Sequence, residues 1–265
     1  MLVDTHCHIM PDRLAQAIRN FFDRHMGFGV LAYPGVLRDD VVRAETDAGV
    51  DRFWALPYAH KAGVAASLNE WMAEHVQPLP RAVAAATFHP DDPELEPLIV
   101  RAFDALGLRV AKLHCSVGNF AVDDPRLTTL WVAACERQIP IVVHAGHGVD
   151  GRTSAHELEP IARVAARHPT LRLVIAHAAL PAIDAALDLL ERFPSLHADL
   201  TSAGQWRYPV PVTRIEALAD RLMYGSDCPN TTITITDGAA WIRALGLSPR
   251  AERAIFGETA MRLVP

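Results

Sequence analysis

Leu108-Arg-Val-Ala-Lys-Leu-His114, then Pro125 to Gln138, then Pro140-Ile-Val-Val-His144: this stretch decides the fold. A short apolar run ends in a histidine, a segment with helical spacing follows, and a second apolar run ends in another histidine. Short apolar runs alternating with amphipathic helices imply parallel strands joined by crossover helices. Downstream the pattern repeats: a helix over Ser154 to His168, then Leu171-Arg-Leu-Val-Ile-Ala-His177 as a strand and Pro181 to Phe193 as its helix. Leu196 to Thr201 and Arg221 to Asp227 read as two more strands, with a helix near Val212 to Ala219 between them. Helices near Asp237 to Leu245 and Pro249 to Leu263 close the chain.

Upstream the same reading holds. Met1-Leu-Val-Asp-Thr-His-Cys-His8 opens as a strand, and Asp12 to His25 follows as a helix with Leu14, Ala17, Ile18 and Phe21 on one stripe. Gly27 to Gly35 is loop material, long enough to fold over a site. Helices over Leu37 to Ala48, Gly63 to Val76 and Pro93 to Leu106 alternate with strands at Arg52 to Pro57 and Arg81 to Phe88. The 265 residues divide into eight units of about 33, close to the ~30 of one strand-helix-strand step. Eight such units predict a closed (β/α)8 barrel, a TIM barrel of the α/β class, as one domain over residues 1–265. A doubly wound open sheet is the rival, and it lacks the Gly-x-Gly-x-x-Gly phosphate loop after its first strand.

Half of the residues are hydrophobic, enough for one sizeable core. A net charge of -6 without blocks of like charge argues against a nucleic-acid surface or a polybasic membrane patch. No apolar run approaches the roughly 18 residues of a membrane helix, and the start shows no leader pattern. Cys7, Cys115, Cys135 and Cys228 are scattered and form no C-x-x-C pair, so reduced thiols and a cytoplasmic location are expected.

Catalysis in such a barrel lies at the C-terminal ends of the strands. Those ends carry His6 and His8, Lys112 and His114, His144, His177 and Asp227. Each taken singly is as well explained by a buried, locally bonded histidine or a turn-forming aspartate. Together, at one end of successive strands, they call for a metal ion. Alternation along a strand further predicts that Asp4, His6 and His8 share a face, as do Leu173, Ile175 and His177, and Met223, Gly225 and Asp227.

The pieces Val3-Asp-Thr-His-Cys-His8, Ala111-Lys-Leu-His114, Pro140-Ile-Val-Val-His-Ala-Gly146, Val174-Ile-Ala-His177, Tyr224-Gly-Ser-Asp-Cys-Pro229 and Gly257-Glu-Thr-Ala-Met-Arg-Leu263 resemble the amidohydrolase superfamily over nearly the whole chain. The Lys-Leu-His strand and the Gly-Ser-Asp-x-Pro ending are most similar to its "amidohydrolase 2" branch. That branch holds hydrolases and non-oxidative decarboxylases such as aminocarboxymuconate semialdehyde decarboxylase. The resemblance implies that His6, His8, His144 and Asp227 bind one divalent ion, most naturally zinc, and that His177 stands beside it as a catalytic acid/base or oxyanion partner, or as a ligand to a second ion. Three imidazoles and a carboxylate suit zinc on chemical grounds as well. A second ion would be bridged by a carboxylated Lys112; with one ion, Lys112 would contact substrate or the metal-bound water, unless its head simply snorkels out of the mouth.

The expected activity is hydrolysis of an amide, ester or lactone of a small molecule by metal-activated water, with Asp227 as proton acceptor. Decarboxylation of a small unsaturated or aromatic acid at the same metal is the alternative. A barrel that only binds its ligand would be expected to have lost part of this set, and a nuclease would need a phosphate-attracting surface. The small-molecule partner is a carboxylate-bearing one in the decarboxylase reading, and the sequence does not decide between monomer and homo-oligomer. His114 and Arg207 are expected at the substrate, the latter within Trp206-Arg-Tyr208, which offers a cation and aromatic faces. His60, His89 and His147 lie in or near strand-to-helix loops as weaker pocket candidates. His25, His75, His156, His168 and His197 are assigned no role.

Overall fold

A computed structural model of the chain describes residues 1–25, 30–146, 154–201 and 203–265. The first half runs β1 (Val3–Cys7), α1 (Asp12–His25), α2 (Arg38–Asp47), β2 (Arg52–Ala55), α3 (Ala65–His75), β3 (Ala82–Thr87) and α4 (Leu95–Val100). The middle runs β4 (Val110–Leu113), α5 (Cys115–Gly118), α6 (Thr128–Arg137), β5 (Ile141–Val143), α7 (Ser154–Arg167), β6 (Leu173–Ile175) and α8 (Ile183–Arg192). It ends with β7 (Leu196–Asp199), α9 (Ala203–Trp206), α10 (Val212–Ala217), β8 (Leu222–Met223), α11 (Ile235–Arg243), α12 (Pro249–Arg253) and α13 (Thr259–Leu263). All eight expected strands are present, in sequential order and parallel throughout. Every expected helix is present too, α4 continuing as a π-helical turn over Arg101–Ala105.

The barrel closes between its last and first strands through backbone bonds. Thr5 N–H donates to Tyr224 O at 3.0 Å, Asp227 N–H to His6 O at 2.7 Å, and His8 N–H to Cys228 O at 2.7 Å. Two apolar layers result, because a parallel sheet in this architecture is covered on both faces. Val3, Trp54, Val83, Val110, Val142, Val174 and Met223 fill the inside of the barrel. Phe53, Ala84, Ala111, Leu113, Ile141, Leu173 and Ile175 pack outward against the helices. The four cysteines are free thiols. Among the described residues no helix is long and apolar enough to cross a membrane.

Two expectations about shared faces are corrected here. Val3 and Asp4 pair with Arg52 and Phe53, but Cys7 pairs with Ala55, so β1 carries one extra residue between Asp4 and Cys7. Such a bulge inverts the alternation. Val3 and His6 therefore both face the interior, while Asp4 joins Phe53 on the outer side, beside Glu45 of α2. The second correction is on β6, where Leu173 and Ile175 face the helices and not the lumen. His177 reaches the mouth because β6 ends at Ile175 and the chain turns there, with φ of 60° at His177 and 45° at Ala178. The left-handed region is costly for residues with a side chain, and His177 and Asp227 (φ 65°) both occupy it.

Candidate metal centre

The histidines of β1 are aimed by what holds their far nitrogens. His8 Nδ1 lies 2.8 Å from the carbonyl oxygen of Leu56. A carbonyl only accepts, so this nitrogen carries the proton and Nε2 presents a lone pair. His6 Nδ1 lies 3.0 Å from Asp199 Oδ2, and a carboxylate fixes the same tautomer. Acceptors behind imidazoles are the usual means of orienting metal ligands. Both Nε2 atoms face Asp227, whose Oδ1 is 3.1 Å from that of His8 and 3.8 Å from that of His6. In the neutral ring this nitrogen and the carboxylate oxygen are both acceptors, so a proton or a metal ion between them accounts for the 3.1 Å contact. His6, His8 and Asp227 offer three donor atoms, all within 4.8 Å of one another. Their number, type and orientation fit a divalent ion.

The other predicted residues gather around this trio. Lys112 does not snorkel out: it is wholly buried, and its Nζ donates to His6 Nε2 at 3.3 Å. Burial pulls its pKa down to about 8, against the pull of the Asp199 and Asp227 carboxylates that favour its charge. The His177 ring lies 4.8 Å from that of His6 and 4.9 Å from that of His144, centroid to centroid. Burial first, and then the neighbouring imidazoles of His6 and His144, hold His177 well below the usual histidine range, so it is neutral at pH 7. His144 is buried in the same mouth, its ring stacked on His114 at 3.9 Å, but it lies outside the compact three-donor set. His114 caps α5 through Nδ1, which accepts from Val117 N–H at 3.4 Å. A Cβ at Gly146 would stand 2.9 Å from His177 Cδ2, so any larger residue there would push the His177 ring from its place.

Two candidates do not join the cluster. Arg207 is exposed, in a left-handed turn just after α9, and no described contact links it to the trio. His89 is occupied by the loop, its Nε2 on Gly118 O at 2.9 Å and its Nδ1 accepting from Asp91 N–H at 3.2 Å. His147, and most of the expected Gly27 to Gly35 loop's first half, lie outside the described residues.

Asp199 is the site residue that the sequence reading passed over. Besides orienting His6, it accepts the backbone N–H of His177 through Oδ1 at 2.7 Å. It thus couples His6 on the first strand to the left-handed turn that presents His177. The signal was available: an aspartate ends the seventh strand, where the ends of the neighbouring strands also carry polar residues. Tyr58 was also missed. It is buried just beyond β2, its ring 5.4 Å from His8 and 5.0 Å from His114.

An eight-stranded parallel barrel with imidazole and carboxylate donors at its C-terminal mouth defines a class, the metal-dependent amidohydrolase-type barrels. The family model described as Amidohydrolase matches residues 3–265, and the chain belongs to that family. No curated protein matches the sequence. An uncharacterized TIM-barrel protein from Bordetella bronchiseptica superposes with a TM-score of 0.80 at 18% identity, covering 99% of this chain and 98% of that one. A 5-carboxyvanillate decarboxylase from Novosphingobium aromaticivorans, in complex with manganese and a nitrobenzoic acid, gives 0.72 at 13% identity, covering 99% and 95%. A 4-oxalomesaconate hydratase from Rhodopseudomonas palustris gives 0.67 at 17%, covering 100% and 96%. At these identities the likeness is one of fold.

Proposed function

We propose that residues 1–265 act as one domain, a metal-dependent hydrolase that cleaves an amide, ester or lactone bond of a small molecule. The observation that carries this reading is the convergence of one donor atom each from His6, His8 and Asp227 within 4.8 Å of one another. His6 Nε2, His8 Nε2 and Asp227 would hold one divalent ion, with His144 completing the donor set, and zinc suits these donors best. The ion would supply Lewis-acid polarisation of the scissile group and a more acidic water. The rest falls to the chain. Hydrolysis needs one group to accept a proton from water and one to deliver a proton to the leaving atom. Asp227 is the acceptor, and His177, held neutral in the mouth, shuttles the proton. Lys112 keeps its Nζ beside His6, where it orients an anionic or carbonyl oxygen of the substrate.

Decarboxylation of a small aromatic or unsaturated acid is the second reading. It is favoured by the buried Lys112 amine, a counter-charge for a carboxylate, and by the decarboxylase fold neighbour that carries a benzoic acid. The test strips the protein with a chelator, reloads it with one divalent ion, and assays aryl esters, lactones and amides beside hydroxybenzoates. Turnover of a hydrolysable compound by the reloaded form alone supports hydrolysis. Carbon dioxide release without hydrolysis replaces it by the second reading. Equal activity in stripped and reloaded protein contradicts both.

A further inference from the structure

Six aromatic side chains close a circuit around the mouth of the barrel. His6 meets His8 at 5.1 Å between ring centroids, His8 meets Tyr58 at 5.4 Å, and Tyr58 meets His114 at 5.0 Å. His114 stacks on His144 at 3.9 Å, His144 meets His177 at 4.9 Å, and His177 returns to His6 at 4.8 Å. Five of these rings are imidazoles and the sixth, Tyr58, is a phenol. Trp54 and Leu56 belong to the interior layer, and Tyr58 follows them on the same side by the alternation that continues β2. Met10, Ala15 and Val36 pack with its ring and fix its place.

The hydroxyl is the unusual part. Tyr58 is only 6% exposed, yet its Oη has no hydrogen-bond partner among the described residues. The similarly buried Tyr224 donates its hydroxyl to Ile235 O at 2.7 Å. Buried hydroxyls are nearly always bonded, so one that the surrounding protein leaves unbonded is open to an acceptor from outside. Tyr58 also lines two hollows: a narrow crevice shared with His8 and Asn230, and a cavity of about 400 Å³ shared with His60 and His114. A member of the donor trio and this hydroxyl-bearing side chain therefore form walls of one crevice. A phenol keeps its proton at neutral pH. Burial, and then the Asp227 carboxylate, hold that proton more firmly still.

We propose that the Tyr58 hydroxyl is a catalytic hydrogen-bond donor that receives the acyl oxygen of the substrate as that oxygen gains negative charge. The inference rests on the metal-site reading above and adds a residue to it. Charge gathers on the acyl oxygen when water adds to the carbonyl carbon and the C=O electron pair moves onto oxygen. Tyr58 stabilises that charge and keeps its own proton throughout, while Asp227 and His177 remain the groups that move protons. A donor already held by packing in a buried wall acts on developing charge without having to reorganise.

The test compares the wild type with Tyr58→Phe, which deletes only the hydroxyl and keeps the ring in the circuit. Phenylphosphonate, a tetrahedral group with charged oxygens, is the probe, titrated calorimetrically into zinc-loaded protein. Its affinity is expected to fall about tenfold or more in the variant. On an ester or lactone that the wild type turns over, kcat should fall about 10²-fold with KM little changed. Zinc content by elemental analysis and the unfolding midpoint of the metal-free protein should both match the wild type. Equal phosphonate affinity in the two proteins would overturn the inference. A clearly lowered unfolding midpoint in Tyr58→Phe would overturn it as well, by making the hydroxyl a structural partner. Failure of the metal-site reading shows in the wild type alone: stripped and zinc-loaded protein would then bind phenylphosphonate equally, or not at all, and the inference would fall with it.

Discussion

The interior of the barrel has two ends that differ by one step along each strand. On β4 the inner face passes from Val110 to Lys112, and on β5 from Val142 to His144. Below the step, Val3, Trp54, Val83, Val174 and Met223 form a closed apolar plug. Above it, Lys112, Asp199, His6, His8 and Asp227 sit within hydrogen-bonding or ligand reach of one another. Burying such groups costs free energy unless each finds a partner. The plug supplies stability, and the mouth uses part of it to hold an arrangement suited to a cation. β7 adds an internal control. His197 pairs beside Val174 in the plug, while Asp199, two residues on, belongs to the mouth.

If the ends have separate duties, damage to each reads out differently. The largest effect is expected from His177→Asn, which should lower kcat by about 10²–10⁴-fold while metal content by elemental analysis stays at the wild-type level. Loss of metal in that variant would make His177 a ligand and blur the division of roles in the mouth.

Met223→Ala should act on the plug alone, lowering unfolding free energy by about 2–5 kcal/mol in denaturant titrations. Metal affinity should not move, and a large drop in it would show that the two ends are not independent. Asp199→Asn removes the charge behind His6 and should weaken metal binding by roughly 10–100-fold with little change in the unfolding midpoint of the metal-free protein. Unchanged affinity would leave Asp199 a purely structural residue.

The effect confined to acid pH separates the two interior histidine environments. Burial, opposed by a hydrogen bond to Ser195 O, takes the pKa of His197 from 6.5 to about 4, and the charges of Arg221, Arg262 and Arg172 push the same way. The unfolded chain therefore binds the proton more readily between these values. His197 contributes stability above pH 6.5 that is lost as pH falls through about 4. About 3 kcal/mol should vanish across that window. His197→Gln should flatten that part of the stability curve, and a curve parallel to the wild type would contradict the assignment.

Most of the scaffold was legible because strand and helix periods are local properties. Eight apolar runs and the helices between them were readable before any tertiary contact was considered. The residues at the strand ends were legible for the same reason. What was not legible depends on departures from period. The bulge in β1 turns Asp4 outward and His6 inward, although spacing alone puts them on one face. The left-handed turn at His177 brings it into the mouth from the wrong face of β6. Tyr58 enters the site through three-dimensional proximity, which no local period announces. Arg207 failed for the opposite reason: a suitable side chain after a strand end, carried away from the cluster by the path of its loop.

The central claim is that His6, His8 and Asp227 converge on one divalent ion while Lys112 remains an unmodified amine. Elemental analysis of the wild type beside His6→Ala, His144→Ala and Lys112→Met tests it most directly. The account predicts about one ion per wild-type chain, a clear loss in both histidine variants, and retention in Lys112→Met. Added bicarbonate during reloading should change nothing. Full occupancy in both histidine variants would contradict the site, and two ions per wild-type chain, falling to one or none in Lys112→Met, would contradict the single-metal account.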